Sequence, residues 1–79
     1  MARGAKLLHA MRANPRDWRI EDVATLCNAV GLELQPPKGG GSHWKVRDVS
    51  RAHTLIIPAH NPINPVYIRK LIAFMEVGR

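Results

Sequence analysis

The segment His43-Trp44-Lys45-Val46-Arg47-Asp48 constrains the fold more than any other stretch of the chain. Its residues alternate between polar and apolar, and successive side chains on a strand point to opposite faces. As a strand it sends Trp44 and Val46 one way and His43, Lys45 and Arg47 the other. The first pair needs an apolar layer to cover it. The second set needs water or an anionic partner. A chain holding this strand has to build a sheet with one covered face and one open face, as antiparallel sheets commonly do.

The flanking sequence supplies the rest of that sheet. Leu32-Glu33-Leu34-Gln35 alternates in the same way and is stopped by Pro36-Pro37. Thr54 to Ile57 reads as a third strand. Three strands joined by short connections predict an antiparallel meander. The first connection, Lys38-Gly39-Gly40-Gly41-Ser42, reads as a flexible cationic loop, and Asp48 to Ala52 as a polar turn with a charged tip.

Helices are expected on the covered face. Over residues 20–30, Ile20, Val23, Ala24, Cys27 and Val30 recur with helical spacing. Glu21 and Asp22 suit the positive end of the helix dipole, and Gly31 suits the position just past its end. A rigid connector, Pro58-Ala59-His60-Asn61-Pro62, leads to a last helix. There Asn64 is a good N-cap and Pro65 fits the first helical position. Ile63 and Ile68 can close a hydrophobic staple, and Gly78 closes the helix. Ile68, Leu71, Ile72 and Met75 make its apolar face. An additional helix over residues 4–13 carries Leu7, Leu8 and Met11 on one side and ends at Asn14-Pro15. Trp18, in the connector that follows, is expected to fold back on the domain. The expected class is α+β: an α-β-β-β-α core over 20–78, a three-stranded antiparallel sheet covered on one face by helices, and an extra N-terminal helix within 1–15. All 79 residues are read as a single domain.

A chain of this length leaves no room for a separate cofactor-binding domain, so no small-molecule cofactor is expected. The net charge is +6, and the part from Lys38 onward, with seven basic and two acidic residues, carries +5 of it. That asymmetry favours a basic binding surface, for a nucleic acid or an acidic protein, over uniform solubilisation. Cys27 is the only cysteine and lies on an apolar helix stripe, so it reads as a small core residue. A chain without a possible internal disulfide suits a reducing cytosol, and a cytoplasmic location is expected. No apolar stretch approaches the roughly 20 residues needed to cross a bilayer, and the run from Leu7 to Arg12 is too short and polar for a signal-peptide core, so no membrane association is expected.

The segment from Lys38 to His43 is where chemistry is expected. Glycines allow a backbone to approach a phosphate closely, and their N–H groups can line an anion-binding concavity. No Gly-Lys-Ser/Thr follows and no helix opens there, which excludes a nucleotide-binding P-loop. The glycine run by itself is equally what a loose hairpin connection needs. His43 at its end adds a group able to accept or donate a proton near neutral pH, and Lys45 and Arg47 share its face. RNA scission asks for little more: a base for the 2′-hydroxyl, cations for the charged phosphorane, and an acid for the leaving oxygen. Without such a task, His43 is an exposed histidine on a basic strand. His53 and His60 make no compact ligand spacing with it, so no metal site is expected. His60, between two prolines, reads as structural, with a second proton-transfer role left open. His9 reads as a surface residue.

Gly41-Ser42-His43 entering a strand, a later strand ending in Ile57-Pro58, and the run Ala59-His60 leading to Asn64-Pro65-Val66-Tyr67-Ile68-Arg69-Lys70 together resemble the HicA family of toxins. The opening Leu8-His9-Ala10-Met11-Arg12-Ala13-Asn14-Pro15, then Ile20-Glu21-Asp22-Val23, is similar to members with an added N-terminal helix. The resemblance covers most of the chain. It implies a fold like the double-stranded-RNA-binding domain, ribosome-independent cleavage of mRNA, growth arrest as a type II toxin, and neutralisation by a HicB-type antitoxin protein. It also implies that His43 is catalytic and that Gly41 and Ser42 belong to the same motif. Phosphate contacts by Lys38, Lys45 and Arg47 are read from the residues and not from the resemblance. The N-terminal extension and the extra glycines depart from the minimal members. Two rival readings stand beside this one: a non-catalytic RNA-binding module of the same fold, and an interaction protein whose basic face docks an acidic partner.

Overall fold

The computed structural model describes residues 2–48 and 53–76. In chain order these form helix α1 (Ala2–Ala13), helix α2 (Ile20–Val30), strand β1 (Glu33–Gln35), a one-turn 3-10 helix (Lys38–Gly40), strand β2 (His43–Asp48), strand β3 (His53–Pro58) and helix α3 (Pro65–Glu76). The strands form one antiparallel sheet in the order β1-β2-β3. The α+β class and the meander are as expected. Of the turn expected over Asp48 to Ala52, Asp48 is the last residue of β2, and residues 49–52, like the helix closure expected at Gly78, lie outside the described residues.

The central strand is held by its inward side chains. Val46 is fully buried, with Leu34 of β1 on one side and Leu55 of β3 on the other. Trp44 pairs with the equally buried Ile57. Because side chains alternate with a period of two, a slip of one residue would turn Val46 out to water and bring Lys45 into the core. Over this face lie Val23, Leu26 and Cys27 from α2 and Ile68, Leu71 and Met75 from α3. All ten fully packed core residues are apolar, and no polar residue is buried among the described residues.

The helix ends use local hydrogen bonds. The Asp22 carboxylate accepts from the Arg19 N–H at 2.9 Å, and Gly31 ends α2 in the left-handed region at φ 82°. The Asn64 side-chain oxygen accepts from the Val66 N–H at 2.9 Å, which confirms it as the cap of α3. Pro65 opens that helix, and Ile63 and Ile68 are both buried beside it. Trp18 is half-buried against the core, its indole N–H donating to the Asn14 carbonyl at 2.6 Å. Its own carbonyl accepts from the Ile63 N–H at 2.8 Å, which ties the connector before α2 to the one before α3.

One detail of α2 differs from the expected stripe. Ala24 is exposed, and Leu26 is fully buried in its place. The reason is α1, which packs on both α2 and α3. At Gly4 the two helices approach so closely that an added Cβ would lie 3.1 Å from the Ala29 side chain and 3.3 Å from Val30. This second contact widens the buried arc of α2 towards Leu26 and Ala29 and leaves Ala24 outside it. The extra N-terminal helix is thus part of the core. It contributes the fully buried Met11, and an ion pair joins Arg12 at its end to Glu76 at the end of α3.

Two predictions follow from this packing. Met11→Ala should lower unfolding free energy by about 2–5 kcal/mol in denaturant titration; a change below about 0.5 kcal/mol would mean that α1 is not part of the cooperative unit. Burial also pushes the Cys27 thiol up from 9.0 to about 11. Between those values the unfolded chain loses a proton that the folded chain keeps. Stability should therefore be unaffected by Cys27 below pH 9 and fall as pH rises towards 11. Comparing Cys27→Ala with the wild type over that window isolates the effect, since the variant lacks this part of the slope.

Candidate functional site

The covered face of the sheet leaves its opposite face open, and the alternation of β2 puts His43, Lys45 and Arg47 there, all exposed. Register fixes what stands beside each. Arg47 lies between Glu33 of β1 and Thr54 of β3. Lys45 lies between Gln35 and Ile56. His43 faces Pro58. The three residues expected to carry chemistry therefore form one ladder up the middle strand, with same-face neighbours about 7 Å apart.

At the lower end of the ladder, Arg47 is not a free cation. Its Nη1 lies 3.2 Å from Glu33 Oε1, and the same oxygen accepts from the Gln35 side-chain amide at 2.9 Å. Both members of the ion pair are about half exposed, at 47% each. Such a pair is weak in water, on the order of 0–1 kcal/mol. It fixes the direction of the guanidinium while leaving its other N–H groups open to an anion. Arg47, expected as a phosphate contact, thus stands ion-paired with Glu33 on the open face. The sequence carried a signal for this: Glu33 and Gln35 flank the inward Leu34, so in any meander they join the cationic face.

The middle of the ladder adds an apolar element. Ile56 beside Lys45 is 48% exposed, one of two large apolar side chains left open among the described residues. The open face therefore offers a cation, a hydrocarbon surface and an imidazole within three consecutive cross-strand pairs.

The upper end is built by the glycine segment. It is not the open loop that its composition predicts. Lys38 to Gly40 form a single 3-10 turn in which Gly39 and Gly40 take φ 71° and 81°. Those values demand glycine, so the first part of the run has a backbone reason. Gly41 differs. It is extended at φ −72°, and a Cβ there would meet only the Pro37 side chain at 3.7 Å, an ordinary contact. Ser42 is half-buried, and its carbonyl accepts from the Ala59 N–H at 2.7 Å. Lys38 is exposed on the turn, apart from the ladder.

The other histidines stand on three different segments. His53 opens β3 opposite Asp48, at the far end of the sheet from His43, and His9 is exposed on α1. His60 is exposed in the connector after β3. Among the described residues, no group of three His, Cys, Asp or Glu side chains is placed to hold a metal ion, and no helix is long and apolar enough to cross a membrane. A shallow groove between α1 and α2, lined by Lys6, Leu7, Ala10, Asp22 and Thr25, contains none of the ladder residues. Comparison with protein-family models, curated proteins and solved structures gives no match to this chain.

The pairing at Arg47 yields a prediction. Glu33→Gln removes the one carboxylate on the ladder and frees Arg47. It should elute from a heparin column at higher salt than the wild type, and Arg47→Gln at lower salt. Identical elution of all three proteins would show that this face does not meet the polyanion.

Proposed function

We propose that this chain is an RNA endonuclease of the HicA toxin type, acting on mRNA through His43 and held in check by a HicB-type antitoxin. The observation that carries this reading is the ladder itself: His43, Lys45 and Arg47 lie on one open face of the sheet, with Gly41 and Ser42 leading into it. The resemblance described above adds support, because its Gly-Ser-His motif falls on the residues at the upper end of that ladder. The order α2-β1-β2-β3-α3, with helices on one face, also fits a fold like the double-stranded-RNA-binding domain.

The chemistry follows from the residues present. A base at His43 removes the proton of a 2′-hydroxyl, and that oxygen attacks the adjacent phosphorus. Lys45, next on the same face, holds the phosphate and offsets charge as the phosphorane forms. Arg47, oriented by Glu33, binds a phosphate further along the strand. The nucleophile belongs to the substrate, so the reaction needs no metal and no cofactor, and DNA of the same sequence is not cleaved. Ser42 contributes its backbone at the strand entry, and Lys38 supplies longer-range attraction from the turn.

A basic surface of this kind is blocked by a partner that presents carboxylates. Association with the antitoxin should weaken as salt rises.

The deciding comparison is growth arrest and RNA decay on inducing the wild type and His43→Ala in parallel. The proposal expects arrest with RNA loss in the wild type alone, and a loss in the variant of about a hundredfold or more in cleavage by purified protein. Lys45→Gln should instead weaken RNA binding and reduce its salt dependence by about one phosphate contact. If His43→Ala arrests growth as the wild type does while Lys45→Gln does not, the chain is an RNA-binding module without catalysis.

A further inference from the structure

The ladder presents one imidazole, whereas cleavage by 2′-hydroxyl attack moves two protons: one leaves the nucleophile and one reaches the departing 5′-oxygen. The pairing of β2 with β3 indicates where the second group lies. Along these strands His43 faces Pro58, Trp44 faces Ile57, and the register continues without a bulge to Asp48 and His53. The hydrogen bond from the Ala59 N–H to the Ser42 carbonyl, at 2.7 Å, extends the same register one residue past the strand ends. Continued one residue further, that register would set Gly41 against His60.

Alternation then sets the face. Thr54, Ile56 and Pro58 stand on the open side of β3, and His60 is the next residue with their parity. The continued register would set it diagonal to His43, a relation in which Cα atoms of paired strands lie about 7–8 Å apart and large side chains can meet. The connector that carries it is tied at both ends, by Ala59 to Ser42 and by the buried Ile63 to the Trp18 carbonyl. His60 itself is exposed.

Gly41, two residues before His43, has no side chain, although neither its backbone angles nor its packing require glycine. The missing side chain means that Gly41 adds no bulk beside the strand entry at His43.

We infer that His60 is the second proton-transfer residue of this site, acting with His43 where the register of β2 and β3 runs on past the strand ends. The inference rests on the ribonuclease reading given above. One neutral imidazole takes the 2′-hydroxyl proton as the 2′-oxygen bonds to phosphorus. The phosphorus–5′-oxygen bond breaks, and the other imidazole, protonated, delivers its proton to that oxygen. The products are a 2′,3′-cyclic phosphate and a 5′-hydroxyl, with one proton transferred in net from one histidine to the other.

The test uses the purified full chain, His43→Ala and His60→Ala on two oligoribonucleotides of one sequence. One has an ordinary linkage. The other has sulfur in place of the bridging 5′-oxygen, a leaving group that departs without being protonated. On the ordinary linkage, His60→Ala should lower kcat by about a hundredfold or more with KM little changed. On the sulfur linkage, one of the two variants should recover to near the wild-type rate and the other should not, which identifies the acid. A His60→Ala protein that cleaves the ordinary linkage at the wild-type rate, while His43→Ala does not, overturns the inference and leaves the ribonuclease reading standing. Failure of the sulfur linkage to rescue either variant also overturns it. A wild type that cleaves neither substrate removes the reading beneath it.

Discussion

Val46 sits fully buried at the centre of a three-stranded sheet, between Leu34 and Leu55, and most of what this chain presents to solvent depends on it. A side chain so placed cannot be exchanged with its neighbours on the strand without moving Lys45 or Arg47 into an apolar core. Burying an unpaired cation costs several kcal/mol, far more than a surface contact returns. The same packing that stabilises the sheet therefore keeps His43, Lys45 and Arg47 on its open face. The proposed functional surface is the complement of the core, not an addition to it.

The helices enforce this arrangement from the other side. α2 and α3 cover the sheet, and α1 packs on both, with Met11 in the core and Gly4 close against Ala29. In a chain of 79 residues the apolar area is small, and a third helix adds to it where an isolated two-helix layer would be thin. The polar chemistry is confined to the strands and their connections. The structure thus places the apolar packing on the helical side and the proposed recognition surface on the open side.

Much of this was legible in the sequence because the relevant signals are local. The alternation at 43–48, the Asn64-Pro65 start of the last helix and the 20–30 helix each depend on a few adjacent residues, and each is found where expected. The failures have a common cause in contacts between distant segments. Ala24 and Leu26 exchange places because α1 packs on α2, which the periodicity of α2 alone does not contain. The pairing of Arg47 with Glu33 requires the register between β1 and β2. The proposed partnership of His60 with His43 likewise draws on the register between β2 and β3 and the bond at Ala59, which neither segment contains alone. The glycine run, read as a flexible loop, divides into two glycines that a tight turn needs and one that it does not. Composition cannot distinguish them, because only the backbone angles do.

The central claim is that this face cleaves RNA by attack of the 2′-hydroxyl. The most direct measurement is the chemical nature of the ends left on a defined RNA incubated with the purified chain in the presence of a chelator. The account predicts 2′,3′-cyclic phosphate and 5′-hydroxyl ends. Ends bearing 5′-phosphate and 3′-hydroxyl would show that water, not the substrate's own hydroxyl, is the nucleophile, and intact RNA would show that the face binds without cleaving; either would contradict it.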